Sequence, residues 1–266
     1  MRDNDASNAA HNGLTLHPGK CSAGETLLLT THPAALPSVR IQSAGRQRIP
    51  ALPVGTALAP QGRPAHLRII GKIPLPAQPY ATTGFLALAL RDCHDGDIFL
   101  PSRQGTALAW IILSDKGFFQ ERADESGPLI QSLCAEHLPL CLHQGFMLPD
   151  DPGMLRALAH DVCIVQGYDL VICSGGTGIS PRDTTPEALL PLFDRRLHGF
   201  EQSMLQTSLA HTPHAAISRA VAGTIGNSLV LALPGSKHAV AQILPALLPA
   251  VPHALAKLQG NPADCG

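Results

Sequence analysis

One stretch near the middle of the chain combines residue types that bind anions with a residue type that holds a cation. Residues 174–178 read Ser-Gly-Gly-Thr-Gly, and Arg182 and Asp183 follow shortly after them. Glycines allow positive φ angles and let the backbone approach a ligand closely. A strand is predicted before the glycines and a helix after them, so free N–H groups and a positive helix-dipole end meet there. The stretch therefore predicts a site for a phosphate or a similar anion.

Asp183 makes this prediction more specific. A carboxylate beside a phosphate is unfavourable unless a cation lies between the two, so Asp183 predicts Mg²⁺ or an equivalent charge. The glycines fit neither the Gly-x-x-x-x-Gly-Lys-Ser/Thr spacing of a P-loop nor the Gly-x-Gly-x-x-Gly spacing of a dinucleotide fold. The alternative is structural: the glycines turn the chain, Asp183 caps the next helix, and Thr184 with Glu187 forms a capping box.

From about residue 105 onward, apolar segments of strand length alternate with segments of helical spacing. This alternation predicts an α/β domain in which a mostly parallel sheet lies between two helical layers, a three-layer α/β/α fold. Strands are predicted over 107–113, 141–147 and 170–173, a hairpin over 217–222 and 228–233, and helices over 129–138, 152–166, 187–193, 199–209 and about 234–259.

Polar motifs follow several of these strands, and parallel sheets bind ligands at the carboxyl ends of their strands. The motifs are therefore expected to meet at one rim and to form a composite site. They are Ser114 with Asp115, Pro149 with Asp150, the segment 174–178, and Pro234 with Gly235 and Ser236.

Two carboxylates at this rim, Asp150 and Asp183, match what Mg²⁺ takes together with phosphate oxygens and water. The alternative for the first of them is again structural, because Asp150 or Asp151 could cap the helix that begins at Pro152.

The first hundred residues differ in composition from the rest of the chain, because prolines and glycines separate short apolar runs. Residues 19–104 are predicted to form a small β-rich domain, a barrel or a curled sheet of unknown role, and residues 1–18 a disordered tail. Between Lys20 and Arg91 the only acidic residue is Glu25, against eight lysines and arginines. These cations are either scattered and solvated, or a basic face for an anionic molecule or partner.

Composition excludes several function classes. The net charge is −1 and the pI is about 6.9, which gives no reason to expect nucleic-acid binding. The seven cysteines are scattered without a Cys-x-x-Cys pair, which favours reduced thiols and a cytoplasmic location. The sequence predicts no signal peptide and no membrane span.

The segment 174–188 resembles the signature of the molybdopterin-binding family, because it carries Ser-Gly-Gly-Thr-Gly, Arg-Asp and Thr-Pro-Glu-Ala in order. This family includes the molybdopterin adenylyltransferases and the matching domain of gephyrin. The resemblance extends over about residues 107–259. Asp150 matches one of two carboxylates that the family's reaction needs, and Asp183 matches the other.

The resemblance implies adenylylation of molybdopterin by Mg-ATP in molybdenum cofactor biosynthesis, giving adenylyl-molybdopterin and pyrophosphate. It implies that Asp150 and Asp183 are catalytic and hold Mg²⁺, with ATP as co-substrate and molybdopterin as substrate. It also implies a homotrimer, with a molybdenum-insertion protein as a further partner. The residues implied to bind the substrates are Ser114, Asp115, Ser174, Gly175, Gly176, Thr177, Gly178, Arg182, Ser218, Pro234, Gly235 and Ser236.

One region departs from the family pattern. After Gly199 and Phe200 the adenylyltransferases have Gly-Glu and later an arginine, whereas this chain has Glu201, Gln202 and Leu205. The departure keeps an alternative open, a non-catalytic carrier or scaffold that binds molybdopterin. A nucleotide hydrolase that shares the fold is a further alternative.

Overall fold

The computed structural model describes residues 14–17, 20–30, 39–43, 51–76, 81–94, 97–121 and 123–260. The chain forms two compact units, Met1–Gln104 and Gly105–Gly266. The boundary predicted from the sequence, between residues 104 and 105, lies at the same position.

Unit 1 is a closed barrel of seven strands in the order β1-β3-β2-β6-β5-β4-β7, so the prediction of a barrel or curled sheet is confirmed. Its apolar residues alternate along the strands, and those that point inward, such as Leu67, Ile69 and Phe99, are fully buried. The strands are β1 Leu14–His17, β2 Thr26–Thr30, β3 Val39–Ser43, β4 Ala57–Pro60, β5 Leu67–Leu75, β6 Thr82–Ala89 and β7 Ile98–Ser102.

The prediction of a disordered tail over residues 1–18 was wrong for its last part, because Leu14–His17 is strand β1. This strand pairs with β3 on one side and β7 on the other and so closes the barrel. Leu14 is fully buried. The pairing partners lie far along the chain, so local composition could not reveal the strand. Residues 1–13 and 18–19 lie outside the described residues.

Unit 2 contains a six-stranded sheet in the order β11-β12-β13-β10-β8-β9. Strands β9, β8, β10 and β13 are parallel, and β12 and β11 continue the sheet in antiparallel pairing. The strands are β8 Thr106–Leu113, β9 Leu140–Leu148, β10 Leu170–Ser174, β11 Arg195–Arg196, β12 Val221–Ile225 and β13 Ser228–Leu233.

Helices cover both faces of this sheet, as the α/β prediction requires. On β10, Leu170 and Ile172 belong to one apolar core, while the intervening Val171 and Cys173 are equally buried on the other face. The helices are α1 Asp115–Phe118, α2 Ser126–His137, α3 Pro152–His160, α4 Thr185–Leu189, α5 His198–Leu209, α6 Lys237–Leu247 and α7 Val251–Leu258.

Some predicted boundaries differ from the structure. Helix α3 continues through residue 166 as predicted, but its last six residues, Asp161–Gln166, are a π-helix. The hairpin begins at Val221, because Pro213–Ile217 forms a 3₁₀-helix, and its turn is Gly226 with Asn227. Gly226 has a φ of 57°, which suits a tight hairpin turn. The two-residue strand β11 was not predicted.

The segment Lys237–Leu258 is apolar and long enough to cross a bilayer, whereas the sequence analysis expected no such segment. Its apolar residues Val240, Ile243, Leu244 and Leu247 lie in the core against the sheet, which accounts for its composition.

Candidate active site

A cleft of about 650 Å³ opens at the carboxyl ends of strands β8, β10 and β13. The loops that follow these strands, together with the loop after β9, form one wall of it. The 3₁₀-helix Pro213–Ile217 and the start of α6 form the other. The residues predicted for the site that line this cleft are Ser114, Asp150, Gly175, Gly176, Thr177, Gly178, Asp183, Ser218, Pro234, Gly235 and Ser236.

The glycine loop is held by close backbone contacts that only glycines allow. Gly175 and Gly176 have φ angles of 117° and 64°. A Cβ on Gly175 would lie 2.3 Å from the Leu113 carbonyl oxygen, and one on Gly176 would lie 2.5 Å from the Thr185 hydroxyl. That hydroxyl donates to the Gly175 carbonyl at 2.8 Å. The loop is therefore fixed against the start of helix α4.

Three of the four backbone N–H groups of the loop are available to a ligand. Within the described residues, the N–H groups of Gly176, Thr177 and Gly178 donate to no protein acceptor. The N–H of Gly175 instead donates to the Leu233 carbonyl at 3.1 Å, so this group is not a phosphate donor, although Gly175 itself lines the cleft.

Ser174 was also predicted to bind substrate, and it does not line the cleft. Its side chain is buried, with 1% of the residue exposed, and its hydroxyl donates to the Pro234 carbonyl at 3.3 Å. Ser174 therefore joins the ends of β10 and β13 beneath the site.

Asp150 lines the cleft, and the neighbouring Asp151 caps helix α3 in its place. Asp151 accepts a hydrogen bond from the Met154 N–H at 2.7 Å and is the N-cap of α3. The Asp150 carboxylate is thus left for the cleft. Burial, and then the nearby Asp115 and Asp183 carboxylates, raise the pKa of Asp150, although Arg182 opposes the increase.

Asp183 likewise lines the cleft and does not cap the following helix. Its carboxylate accepts a hydrogen bond from the Ser180 N–H at 2.8 Å, inside the loop. The N-cap of α4 is Thr184, whose side chain makes no capping hydrogen bond. The predicted capping box was wrong, because Glu187 pairs with Arg219 instead.

Asp115 and Arg182 form an ion pair with each other, and neither lines the cleft. Asp115 also accepts a hydrogen bond from the Asp150 N–H at 3.1 Å. Both were predicted to bind substrate. In the structure they connect the three loops that follow β8, β9 and β10.

The comparison with known proteins decides the family. A family profile described as "Probable molybdopterin binding domain" matches residues 109–253, more than half of the chain. The chain belongs to the molybdopterin-binding family.

Individual relatives agree with this assignment. Gephyrin of Dictyostelium discoideum is 48% identical over 148 residues, which cover 52% of this chain and 20% of gephyrin. Molybdopterin adenylyltransferase of Helicobacter pylori (strain J99) is 35% identical over 150 residues, 56% of this chain and 83% of the relative. The molybdopterin biosynthesis enzyme MoaB of Thermus thermophilus aligns with a TM-score of 0.55 and 38% identity, covering 60% of this chain and 99% of that one. The chain thus spans a fifth of the gephyrin, but most of the adenylyltransferase and nearly all of the MoaB chain.

The molybdopterin-binding unit offers two carboxylates to a cation. In the described part of the chain, no group of three or more His, Cys, Asp or Glu side chains could hold a metal. Asp150 and Asp183, however, face the same cleft, and Mg²⁺ needs only one or two carboxylates beside phosphate oxygens and water. Burial is the main cause of the raised pKa of Asp150, and the Asp115 and Asp183 carboxylates add negative charge that a divalent cation would neutralise. The residues present therefore fit Mg²⁺.

The wall formed by the 3₁₀-helix Pro213–Ile217 and the start of α6, the far wall of the cleft, was predicted only at Ser218. Its residues are mostly polar, and the wall carries three exposed histidines beside an amide and hydroxyls. The signal available was position, because His238 lies just beyond Ser236 and His214 shortly before Ser218. The missed polar residues are Ser208, His211, Thr212, His214, His238 and Gln242.

The departure from the family pattern lies beside the cleft. Glu201, Gln202 and Leu205 line an adjoining cavity of about 270 Å³, which shares Ser208 and Ser218 with the cleft. The Glu201 carboxylate accepts from the Arg196 side chain at 2.9 Å and from the Ala222 N–H at 3.1 Å. Burial raises the pKa of Glu201, but these bonds outweigh it and keep the pKa below its ordinary value. Glu201 therefore ties helix α5 to strand β12.

Proposed function

We propose that this chain catalyses adenylylation of molybdopterin by Mg-ATP in molybdenum cofactor biosynthesis. The observation that carries the proposal is a single cleft lined both by two carboxylates, Asp150 and Asp183, and by Gly176 to Gly178, whose N–H groups donate to no acceptor in the described part of the chain. A relative named molybdopterin adenylyltransferase, matched over 83% of its length, supports it.

In the proposed reaction the terminal phosphate of molybdopterin attacks the α-phosphate of ATP, and pyrophosphate leaves. The attacking oxygen is already anionic, so the protein needs no nucleophile of its own. Catalysis then depends on positioning and on neutralisation of charge, as in other phosphoryl transfers.

Each group on the cleft wall has a role in this scheme. The N–H groups of Gly176, Thr177 and Gly178 donate hydrogen bonds to phosphate oxygens. Asp150 and Asp183 would hold Mg²⁺, which supplies positive charge to the transferring phosphoryl group when bound. The far wall, with its amide, hydroxyl and imidazole groups, provides donors and acceptors for the heterocycles of the substrates.

The rival proposal is a carrier or scaffold that binds molybdopterin without catalysis. The departure at Glu201 and Leu205 favours it. Because these residues line the adjoining cavity while the cleft keeps both aspartates, we favour the enzyme.

A homotrimer and a molybdenum-insertion partner remain part of the proposal. Apolar positions on the predicted helices 189–193 and 243–255 would allow a trimer. Leu189 and Ile243 are buried in the chain's own core, whereas Leu190 is 36% exposed. Leu205, Leu209 and Ile217 are 41%, 45% and 53% exposed and are the better candidates. Light scattering on the purified chain measures the subunit number.

The test of the function is to incubate the full chain with molybdopterin, ATP and Mg²⁺. The enzyme releases pyrophosphate and forms a product heavier by one AMP group, detected by mass spectrometry. A carrier binds molybdopterin and releases no pyrophosphate.

A further inference from the structure

We propose that Arg219 is a positioning residue that holds Asp183 and the glycine loop in their working geometry. Arg219 does not line the cleft, so it acts through other groups and does not touch substrate. The expected loss of kcat rests on the proposed function. The expected loosening of the loop does not.

The guanidinium of Arg219 closes the loop between Gly178 and Asp183. Its Nε donates to the Gly178 carbonyl at 2.6 Å, and one Nη donates to the Asp183 carbonyl. The backbone N–H of the same residue donates to the Thr177 carbonyl at 2.8 Å. Three carbonyl groups that flank the proposed phosphate donors and the proposed metal ligand are thus fixed by one residue.

Inside the closed loop, Asp183 has little freedom. Its carboxylate accepts from the Ser180 N–H at 2.8 Å, and a Cβ on Gly178 would lie 2.7 Å from the same oxygen. When Arg219 fixes the Gly178 and Asp183 carbonyls, it also fixes the carboxylate between them.

The position of Arg219 in the chain also links the two walls of the cleft. It follows Ser218 and the 3₁₀-helix Pro213–Ile217, which belong to the far wall. Its bonds reach the glycine loop on the near wall. Arg219 therefore connects the two walls through both its side chain and its backbone N–H.

Only arginine supplies this set of bonds. The guanidinium is planar and presents its N–H groups in a fixed fork, whereas a lysine ammonium is a single point charge on a flexible stem. The remaining Nη pairs with Glu187, whose side chain is 56% exposed. Exposed ion pairs contribute little, so the two carbonyl contacts and not the charge pair should carry the effect.

The experiment compares Arg219→Ala, Arg219→Lys and Glu187→Gln with the wild type. Arg196→Lys is the matched control, because Arg196 also donates to a glutamate, Glu201 at 2.9 Å, yet lines no part of the main cleft. Amide hydrogen exchange over residues 176–185, Mn²⁺ affinity and separate kcat and KM values are measured for each.

We expect Arg219→Ala to speed exchange of these amides about tenfold or more and to lower kcat about 10²-fold, with KM for molybdopterin nearly unchanged. Added guanidinium should restore part of the kcat, and Arg219→Lys should recover less than half of the loss. Glu187→Gln and Arg196→Lys should stay within about threefold of the wild type.

The proposal is overturned if exchange over residues 176–185 and Mn²⁺ affinity are the same in Arg219→Ala and the wild type. If the wild type itself produces no pyrophosphate, the proposed function fails, while exchange and Mn²⁺ affinity still decide the role of Arg219. If Arg219→Ala does not fold, Arg219→Lys provides the same comparison.

Discussion

The Asp115 carboxylate accepts a hydrogen bond from the backbone N–H of Asp150 at 3.1 Å. Its other oxygen pairs with Arg182, the residue before Asp183. A single carboxylate outside the cleft thereby links the segments that carry the two proposed metal ligands. The proximity of this carboxylate also raises the pKa of Asp150.

This relationship predicts a pH dependence of metal binding. Because the pKa of Asp150 is raised, first by burial and then by Asp115 and Asp183, Asp150 takes up a proton at a higher pH than an ordinary aspartate. Mn²⁺ affinity should therefore fall with decreasing pH before an unperturbed carboxylate, with a pKa of about 3.9, would titrate. In Asp115→Asn the midpoint of this loss should shift to lower pH. Calorimetric titration at several pH values measures it, and an unchanged midpoint would contradict the electrostatic account.

The same shift predicts a conflict between stability and activity at Asp150. A folded-state pKa above the unfolded value means that the folded protein binds the proton more tightly, so stability falls as pH rises through the window between the two. At neutral pH, Asp150→Asn should therefore slightly raise the thermal midpoint of the metal-free protein. It should lower adenylylation by about 10²-fold. A lower midpoint together with normal turnover would show that Asp150 is structural.

Two glycine-to-alanine substitutions, one in the glycine loop and one in helix α5, should have opposite effects on the stability of the fold. Gly175→Ala forces a left-handed φ of 117° on alanine and places its Cβ 2.3 Å from the backbone oxygen of Leu113, so it should cost about 1–3 kcal/mol or more. Gly199→Ala, the control in helix α5, meets no atom within 4 Å and should stabilise the fold by roughly 0.5 kcal/mol. Urea unfolding measures both values. Equal stabilities would mean that the loop adopts another conformation.

Gly176→Ala tests ligand binding by the same loop. Gly176 has a φ of 64°, and an added Cβ would lie 2.5 Å from the Thr185 hydroxyl. The substitution should displace the free N–H groups and weaken binding of ATP by about tenfold, that is, by roughly 1.4 kcal/mol. Equilibrium dialysis with ATP provides the affinity, and an unchanged value would mean that the loop only turns the chain.

Unit 1 offers a prediction of its own. Cys21 and Cys93 face each other across an antiparallel bridge, with the Cys93 N–H donating to the Cys21 carbonyl at 3.0 Å. We predict that diamide joins Cys21 and Cys93, which are free thiols in the structure, in a disulfide. Burial raises the pKa of the Cys93 thiol, so this oxidation should be slow at neutral pH and faster in alkaline buffer. Once formed, the disulfide should stabilise the barrel by up to about 4 kcal/mol. Peptide mapping without reductant detects it, Cys93→Ser abolishes it, and pairing with other cysteines would contradict the register.

The composite site could be predicted from the sequence because it depends on topology. Strands that alternate with helices give a parallel sheet, and loops at the carboxyl ends of its strands meet. Ser114, Asp150 and the glycines therefore reach one cleft without any knowledge of long-range contacts.

The errors arose where a local pattern competed with a distant partner. Thr184 and Glu187 have capping-box spacing, but Glu187 pairs with Arg219, 32 residues away. Ser174 and Asp115 have the chemistry of ligand-binding residues, yet each is satisfied by another loop, through the Pro234 carbonyl and the Asp150 N–H. Such pairings depend on the packing of loops, which residue type and spacing do not encode.

The proposed function assigns Asp183 to the transfer of an adenylyl group and not to the binding of the pterin. Its most direct test follows radiolabel from the α-phosphate of ATP into molybdopterin, with the wild type and Asp183→Asn side by side and Mg²⁺ present. The wild type should label the pterin, while the variant should bind molybdopterin with similar affinity and label it about 10²-fold more slowly. Equal labelling by the two proteins, or no labelling by the wild type, would contradict the account.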